Sequence, residues 1–150
     1  MIYSEPMKRP YVILNAAMTV DGKIASRGGD SKISCPKDLT RLHRLRSQVD
    51  AVMVGAGTIL VDDPSLTVRR VRGRNPLRVV VDGKARVSST ARIFREPPKT
   101  IVAVSAKAPE ARVEKLERVA EVWRFPGRSV NLRALLRKLY QRGVRRVLLE

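Results

Sequence analysis

The chain has 150 residues, enough for one domain with a hydrophobic core but not comfortably for two. Apolar residues make up 43% of it and aromatic residues 4%, so its core is aliphatic, which suits a helix-covered sheet better than an aromatic-rich barrel. The formal charge of +17 fits a nucleic-acid partner, an anionic small molecule or an arginine-rich, heat-adapted surface, and charge alone does not choose among them.

In chain order, YVILNAAM (11–18) reads as a buried strand introduced by Pro10, and TVDGK (19–23) turns on its Asp-Gly dipeptide. A glycine-containing loop over 24–34 leads to Ser34 or Cys35 as cap of a helix with Pro36 and Asp38 in its first turn. That helix runs to about Gln48, with Leu39, Leu42, Leu45, Arg46 and Val49 near one face. DAVMVG (50–55) is a short apolar strand, and AGTILVDDP (56–64) turns into a short helix stopped before Pro64. LTV (66–68) is strand-like and precedes a basic loop over 69–76. LRVVVDG (77–83), TIVAVS (100–105) and AEVWRF (120–125) are further strands, with a helix over about 109–120 between the last two. Residues 131–143 form a helix capped by Asn131 and closed by Gly143, its stripe being Leu132, Leu135, Leu136 and Leu139. VRRVLL (144–149) begins one more strand. The order of elements predicts an α/β sheet in a single domain spanning 1–150. The strand completed at the last residues leaves that domain incomplete at its C-terminal end, because ligand loops begin where such strands stop.

One cysteine, Cys35, excludes an intrachain disulfide and suits a reducing compartment. The N-terminal residues lack a signal-peptide layout, and no stretch approaches the roughly 20 apolar residues of a membrane span. A soluble, cytoplasmic protein with no membrane partner is expected.

Four segments can carry chemistry. VGAGT (54–58) follows a strand and opens a helix; Gly55 and Gly57 allow close approach of a phosphate, or simply tight packing. In LVDDP (60–64) the adjacent Asp62 and Asp63 point different ways, so one can accept hydrogen bonds from a ribose or bind the helix end while the other faces water, or the pair simply ends the helix with a solvated carboxylate. TVDGK is a rim loop preceded by Met18 at a strand end. VVVDGKARV (79–87) places Asp82, Gly83, Lys84 and Arg86 just past a strand, where Lys84 or Arg86 can hold the phosphate that distinguishes NADPH from NADH, or form a solvated turn. A lone His43, mid-helix beside Leu42, reads as a packing or surface residue, and with one cysteine it makes neither a metal site nor a Cys–His pair. The few aromatics supply no stacking platform for single strands, which weakens the nucleic-acid reading.

Taken in order, NAAMTVDGKIA (15–25), DSKIS (30–34), LHRLRSQVDAVMVGAGTILVDDPSLTVR (42–69), NPLRVVVDG (75–83) and GVRRVLLE (143–150) resemble the reductase of riboflavin biosynthesis over nearly the whole chain. With no zinc-deaminase H-x-E or P-C-x-x-C signature, the chain is similar to the stand-alone archaeal and fungal branch. The resemblance implies a dihydrofolate-reductase-like fold with a mixed central sheet, whose C-terminal strands and glycine-rich pyrophosphate loop follow Glu150, and a homodimer. It implies NADPH, with NADH as the lesser cofactor, and 2,5-diamino-6-ribosylamino-4(3H)-pyrimidinone 5′-phosphate as substrate, its opened ribose reduced to a ribityl chain. Residue by residue it carries over Met18, Gly55, Gly57, Thr58, Asp62 and the turn Asp82-Gly83-Lys84-Ala85 to the cofactor. Ser31, Ser34, Arg46, Leu66, Arg69 and Glu150 go to the substrate, with Arg69 suited to the 5′-phosphate. Asp62 and Glu150 are candidate proton donors, and Asn15 a polarising donor. Within the same fold, an aminouracil or a pterin-like substrate is the alternative; in another class, a basic nucleic-acid-binding domain.

Overall fold

Short uninterrupted runs of Val, Ile, Leu and Ala become strands buried on both faces, and the amphipathic segments between them become the helices that do the burying. A computed structural model describes residues 8–28 and 33–150. Along it run β1 (Tyr11–Leu14), α1 (Pro36–Gln48), β2 (Ala51–Gly55), α2 (Ala56–Asp62), β3 (Leu77–Val81), a 3-10 turn (Arg92–Phe94), β4 (Ile101–Ser105), α3 (Glu110–Glu117), β5 (Glu121–Phe125), α4 (Leu132–Gln141) and β6 (Arg146–Leu149). The sheet order is β1-β6-β2-β3-β4-β5.

Every pairing among the described strands is parallel, and the α/β reading stands. The handedness of parallel crossovers explains where the helices lie. From β1 through β5 each step moves the same way across the sheet, so α1, α2 and α3 share one face. Their Leu42, Leu45, Ile59, Val113 and Leu116 pack on Val52, Val54, Val80, Val102, Val104 and Leu148. The return from β5 to β6 runs backwards, which puts α4 on the other face, where Leu135 and Leu139 cover Ala51, Met53, Val79, Ile101, Ala103 and Val147. That return threads β6 between β1 and β2, with Val147 opposite both Val12 and Ala51.

Two expectations are corrected. The strand of 11–18 stops at Leu14 and is an edge rather than a buried strand: Tyr11 is 72% and Leu14 69% exposed. Among the described strands it pairs with β6 alone, and Val12 and Leu14 on its other side stay exposed. Residues 66–68 form no strand, because Leu66 takes a left-handed φ of 54° and the next backbone groups bond to side chains instead of a neighbouring strand. One buried residue breaks the aliphatic pattern: Arg78 on β3 is fully buried, with Nη2 donating to the carbonyl oxygens of Glu96 and Pro98. Burial pulls its guanidinium below the usual arginine range, opposed by Glu96.

α4 ends as its sequence requires. Asn131 Oδ1 accepts from the Ala134 N–H at 3.1 Å, and Gly143 takes φ 94°. Asn131→Ala should cost about 1 kcal/mol, and Leu135→Ala about 2–5 kcal/mol because the site is fully buried. Urea denaturation of the natural full-length protein checks both; similar small losses would mean that α4 is not packed on the sheet.

Candidate functional site

In a parallel sheet all strands point their carboxyl ends to one edge, and there the ligand loops gather. Threading β6 between β1 and β2 brings Asn15, Glu150 and the start of α2 side by side: the Asn15 N–H donates to Leu149 O at 2.9 Å and the Glu150 N–H to Met53 O at 3.1 Å. Around them lies a cleft of about 390 Å³, within the range of small-molecule sites. Asn15 and Ala17 line it from the segment that follows β1. Ser34, Leu39, Leu42 and Arg46 line it from α1 and its lead-in. Thr58 and Asp62, one turn apart on α2, and Pro64 and Leu66 from the following loop complete it with Glu150.

The cleft's floor is an ion pair. Arg46 lies in the last turn of α1, but helical side chains lean toward the N-terminus, and its long stem reaches Glu150. Nε donates to Oε1 at 2.9 Å and Nη2 to Oε2 at 2.6 Å, with the two side chains 9% and 11% exposed. Nη1 also donates to Thr67 O at 3.3 Å. Asn15 Oδ1 accepts from Arg41 Nη2 at 2.8 Å, which leaves the amide nitrogen as its donor. Hydrogen bonds from Ser34 and Arg41 hold the Asp38 carboxyl below the usual carboxylate range.

The adjacent acids of α2 diverge. Asp62 lines the cleft, whereas Asp63, in a left-handed conformation with φ 39°, accepts from the Arg92 N–H at 2.9 Å. Leu66 is 2% exposed and lines the cleft despite its positive φ, a strained conformation held by its surroundings. Arg69 stands beside the cleft rather than in its lining: Nη1 donates to Ser65 Oγ at 2.8 Å and the residue is otherwise exposed.

The other sequence candidates sit apart from this cleft. Gly55 and Gly57 are exposed at the start of α2, with no atom within 4 Å of the position a Cβ would take, so a ligand can lie against their backbone. Gly55 also edges an apolar groove of about 280 Å³ formed with Met53, Val81, Leu136 and Leu149. The Asp82 carboxylate is fully buried in its own turn, accepting from the Val87 N–H at 2.8 Å and the Arg86 N–H at 2.5 Å. This fixes Gly83, Lys84 and Ala85, the last at φ 49°, while Lys84 and Arg86 remain exposed. Met18 is 69% exposed, and Ser31 lies outside the described residues. Among the described residues there is no group of three or more His, Cys, Asp or Glu able to hold a metal ion, and no helix long and apolar enough to cross a membrane.

His43, read from the sequence as a packing or surface residue, is packed. It is 5% exposed, and its Nδ1 accepts from the Arg69 N–H at 3.0 Å. A lone histidine in a helix carries no spacing signal; only the fold brings the 65–70 loop to it. Burial, then the nearby charges of Arg46, Arg69 and Arg70, hold its pKa below the ordinary 6.5, with Glu150 opposing.

Breaking the buried pair tests the cleft's floor. Glu150→Leu strands the Arg46 guanidinium in a nearly buried site and should cost about 3–5 kcal/mol, whereas Arg46→Met combined with Glu150→Leu should recover much of the loss. Denaturant unfolding of the four proteins checks this, and additive losses would show that the two residues are not coupled.

The RibD C-terminal domain matches residues 10–150. Two archaeal proteins named 2,5-diamino-6-ribosylamino-4(3H)-pyrimidinone 5′-phosphate reductase are similar to the chain. That of Methanothermobacter thermautotrophicus is 50% identical over 145 residues, covering 95% of this chain and 67% of the relative. That of Archaeoglobus fulgidus is 47% identical over 153 residues, covering 95% and 70%. Among solved structures, the Thermotoga maritima diaminohydroxyphosphoribosylaminopyrimidine deaminase/5-amino-6-(5-phosphoribosylamino)uracil reductase superposes with a TM-score of 0.78 at 39% identity, over 95% of this chain and 39% of that one. The Saccharomyces cerevisiae riboflavin biosynthesis reductase Rib7 gives a TM-score of 0.74 at 25% identity, over 98% and 65%. The chain thus spans about two thirds of the archaeal relatives and well under half of the bifunctional one.

Proposed function

The chain belongs to the RibD C-terminal domain family, and on that footing we propose that it reduces the ribosyl side chain of 2,5-diamino-6-ribosylamino-4(3H)-pyrimidinone 5′-phosphate to the ribitylamino product in riboflavin biosynthesis. The observation that carries this reading is the single cleft at the carboxyl ends of β1, β6 and β2. It gathers Ser34, Arg46, Thr58, Asp62, Leu66 and Glu150, drawn from sequence positions as far apart as 34 and 150.

A nicotinamide cofactor, when bound, supplies the hydride. The residues present fit one: Gly55 and Gly57 open the backbone at the start of α2, and Lys84 and Arg86 are exposed cations on a turn locked by Asp82. We assign NADPH over NADH to that pair of cations, which suit the additional phosphate.

The chain's own work is to hold the sugar and move a proton. Arg69 takes the 5′-phosphate, since a guanidinium fork binds two oxygens and Ser65 already holds one arm of it. With the ribose opened to an imine, a hydride arriving at C1′ leaves an electron pair on the adjacent nitrogen, which takes a proton. Glu150, with both oxygens accepting from Arg46, acts as a fixed acceptor for the substrate's amino or hydroxyl groups, and Asp62, lining the same cleft, is then the candidate for delivering that proton. Asn15 offers its amide N–H to the opened sugar. The same reading carries a cytoplasmic homodimer, whose assembly sedimentation of the natural chain measures.

Absorbance-monitored NADPH oxidation with this substrate is the direct test: turnover supports the step, and a folded, NADPH-binding protein without turnover rejects the substrate. Arg69→Ala should raise the substrate KM about 10- to 100-fold with NADPH binding nearly intact; equal loss of both removes the phosphate assignment. Replacing Lys84 and Arg86 together should weaken NADPH more than NADH, and an unchanged preference means that this turn does not read the extra phosphate.

A further inference from the structure

The loop that carries Arg69 has no secondary structure of its own, yet its backbone is held at three successive residues. Thr67 O accepts from Arg46 Nη1 at 3.3 Å, the Val68 N–H donates to Asn75 Oδ1 at 2.8 Å, and the Arg69 N–H donates to His43 Nδ1 at 3.0 Å. Two of these three partners stand one turn apart on α1. The Ser65 hydroxyl, which holds the Arg69 guanidinium, is itself fixed 3.1 Å from the Thr67 hydroxyl, and both residues are buried.

We infer that His43 is a positioning residue for substrate phosphate: through the Arg69 N–H it fixes the backbone from which the Arg69 guanidinium is presented. The inference rests on the phosphate reading above. The donor at this contact is a backbone N–H, so the ring nitrogen facing it must carry a lone pair; His43 is neutral there, with its hydrogen on Nε2. A protonated ring would set N–H against N–H and lose the contact. The charged groups facing the ring are Arg46 from α1, Arg69 and Arg70 from the loop, and Glu150 beyond β6. Burial, and then three cations against one carboxylate, hold the ring's pKa below the ordinary histidine value, which favours the neutral form that the contact needs. The folded-state value lies below the unfolded one, so the contact is intact above the ordinary 6.5 and is lost as pH falls through the lowered value.

The test is steady-state kinetics on the full natural chain, with the phosphorylated substrate and its 5′-hydroxyl analogue. His43→Leu fills the space without an acceptor, while His43→Asn restores an oxygen near the Nδ1 position. His43→Leu should raise the KM of the phosphorylated substrate about tenfold, with the KM of the 5′-hydroxyl analogue and of NADPH moving less than about twofold. His43→Asn should stay within about threefold of wild type. In an Arg69→Ala background His43→Leu should add nothing, as expected of two residues acting as one unit. Equal losses in His43→Leu and His43→Asn, a parallel loss on the 5′-hydroxyl analogue, or full additivity with Arg69→Ala overturns the positioning role. Failure of Arg69→Ala itself to separate the two substrates instead rejects the phosphate reading, and the inference with it. Should His43→Leu fail to fold, the pH profile decides. The substrate phosphate titrates near 6 in every variant, so its contribution cancels between wild type and His43→Asn. An additional acid-side rise in KM confined to wild type supports the role; superimposable profiles overturn it.

Discussion

The guanidinium of Arg46 holds three parts of the chain at once. From the last turn of α1 it forks onto both oxygens of Glu150, at the end of β6, and it reaches the Thr67 carbonyl in the loop after α2. Taking a guanidinium and a carboxylate nearly out of water costs several kcal/mol per ion, and such a pair persists only where geometry and further hydrogen bonds offset that cost. Here the fork is bidentate and a third N–H is used, which meets the requirement. Aliphatic pairs of the same volume often hold such elements together comparably well. What the ionic pair adds is a charged, directional group at a fixed point in the cleft.

The position of that point follows from topology. Parallel crossovers of one hand take α1, α2 and α3 over one face, and the sole return path puts β6 in the gap that the first crossover leaves between β1 and β2. Glu150 therefore emerges between Asn15 and the start of α2 although 135 residues separate it from Asn15. The cleft is completed by β6 and the residue after it, so the preceding elements alone would leave it without its ion pair.

Much of this was legible before any coordinates. The apolar runs at 51–55, 77–81 and 101–105, the Asn131 cap and Gly143 marked their elements because burial, capping and positive φ each leave a residue-level trace. The cleft's members were legible through resemblance rather than spacing, since no local period links Arg46 to Glu150. Three things were not legible. Residues 11–14 are as apolar as any central strand, and only the strand order exposes them. Leu-Thr-Val at 66–68 has strand composition, but the loop's hydrogen bonds go to side chains of α1 and to Asn75, and Leu66 adopts a φ that no β-strand allows. His43 looked like packing because its role lies in one lone pair facing a backbone donor 26 residues away.

The two left-handed residues of the 63–66 segment explain why that loop needs so many side-chain anchors. A non-glycine residue in this region costs roughly 1–2 kcal/mol, and Asp63 and Leu66 both adopt it within four positions. Asp63 offsets part of this locally, its N–H closing α2 onto Ile59 and its carboxylate taking the Arg92 N–H. Leu66 has no such polar recompense, and its conformation is kept by near-complete burial and by the held groups at Thr67, Val68 and Arg69. Turning the chain at Leu66 is what aims Leu66 into the cleft while Arg69 stays at its side. An unstrained loop of the same length would be free to follow the sheet, and the apolar and cationic parts of the candidate substrate site would no longer share one edge. The strain, the buried ion pair and the neutral histidine are thus one construction, in which α1 holds the following loop in a conformation it would not keep alone.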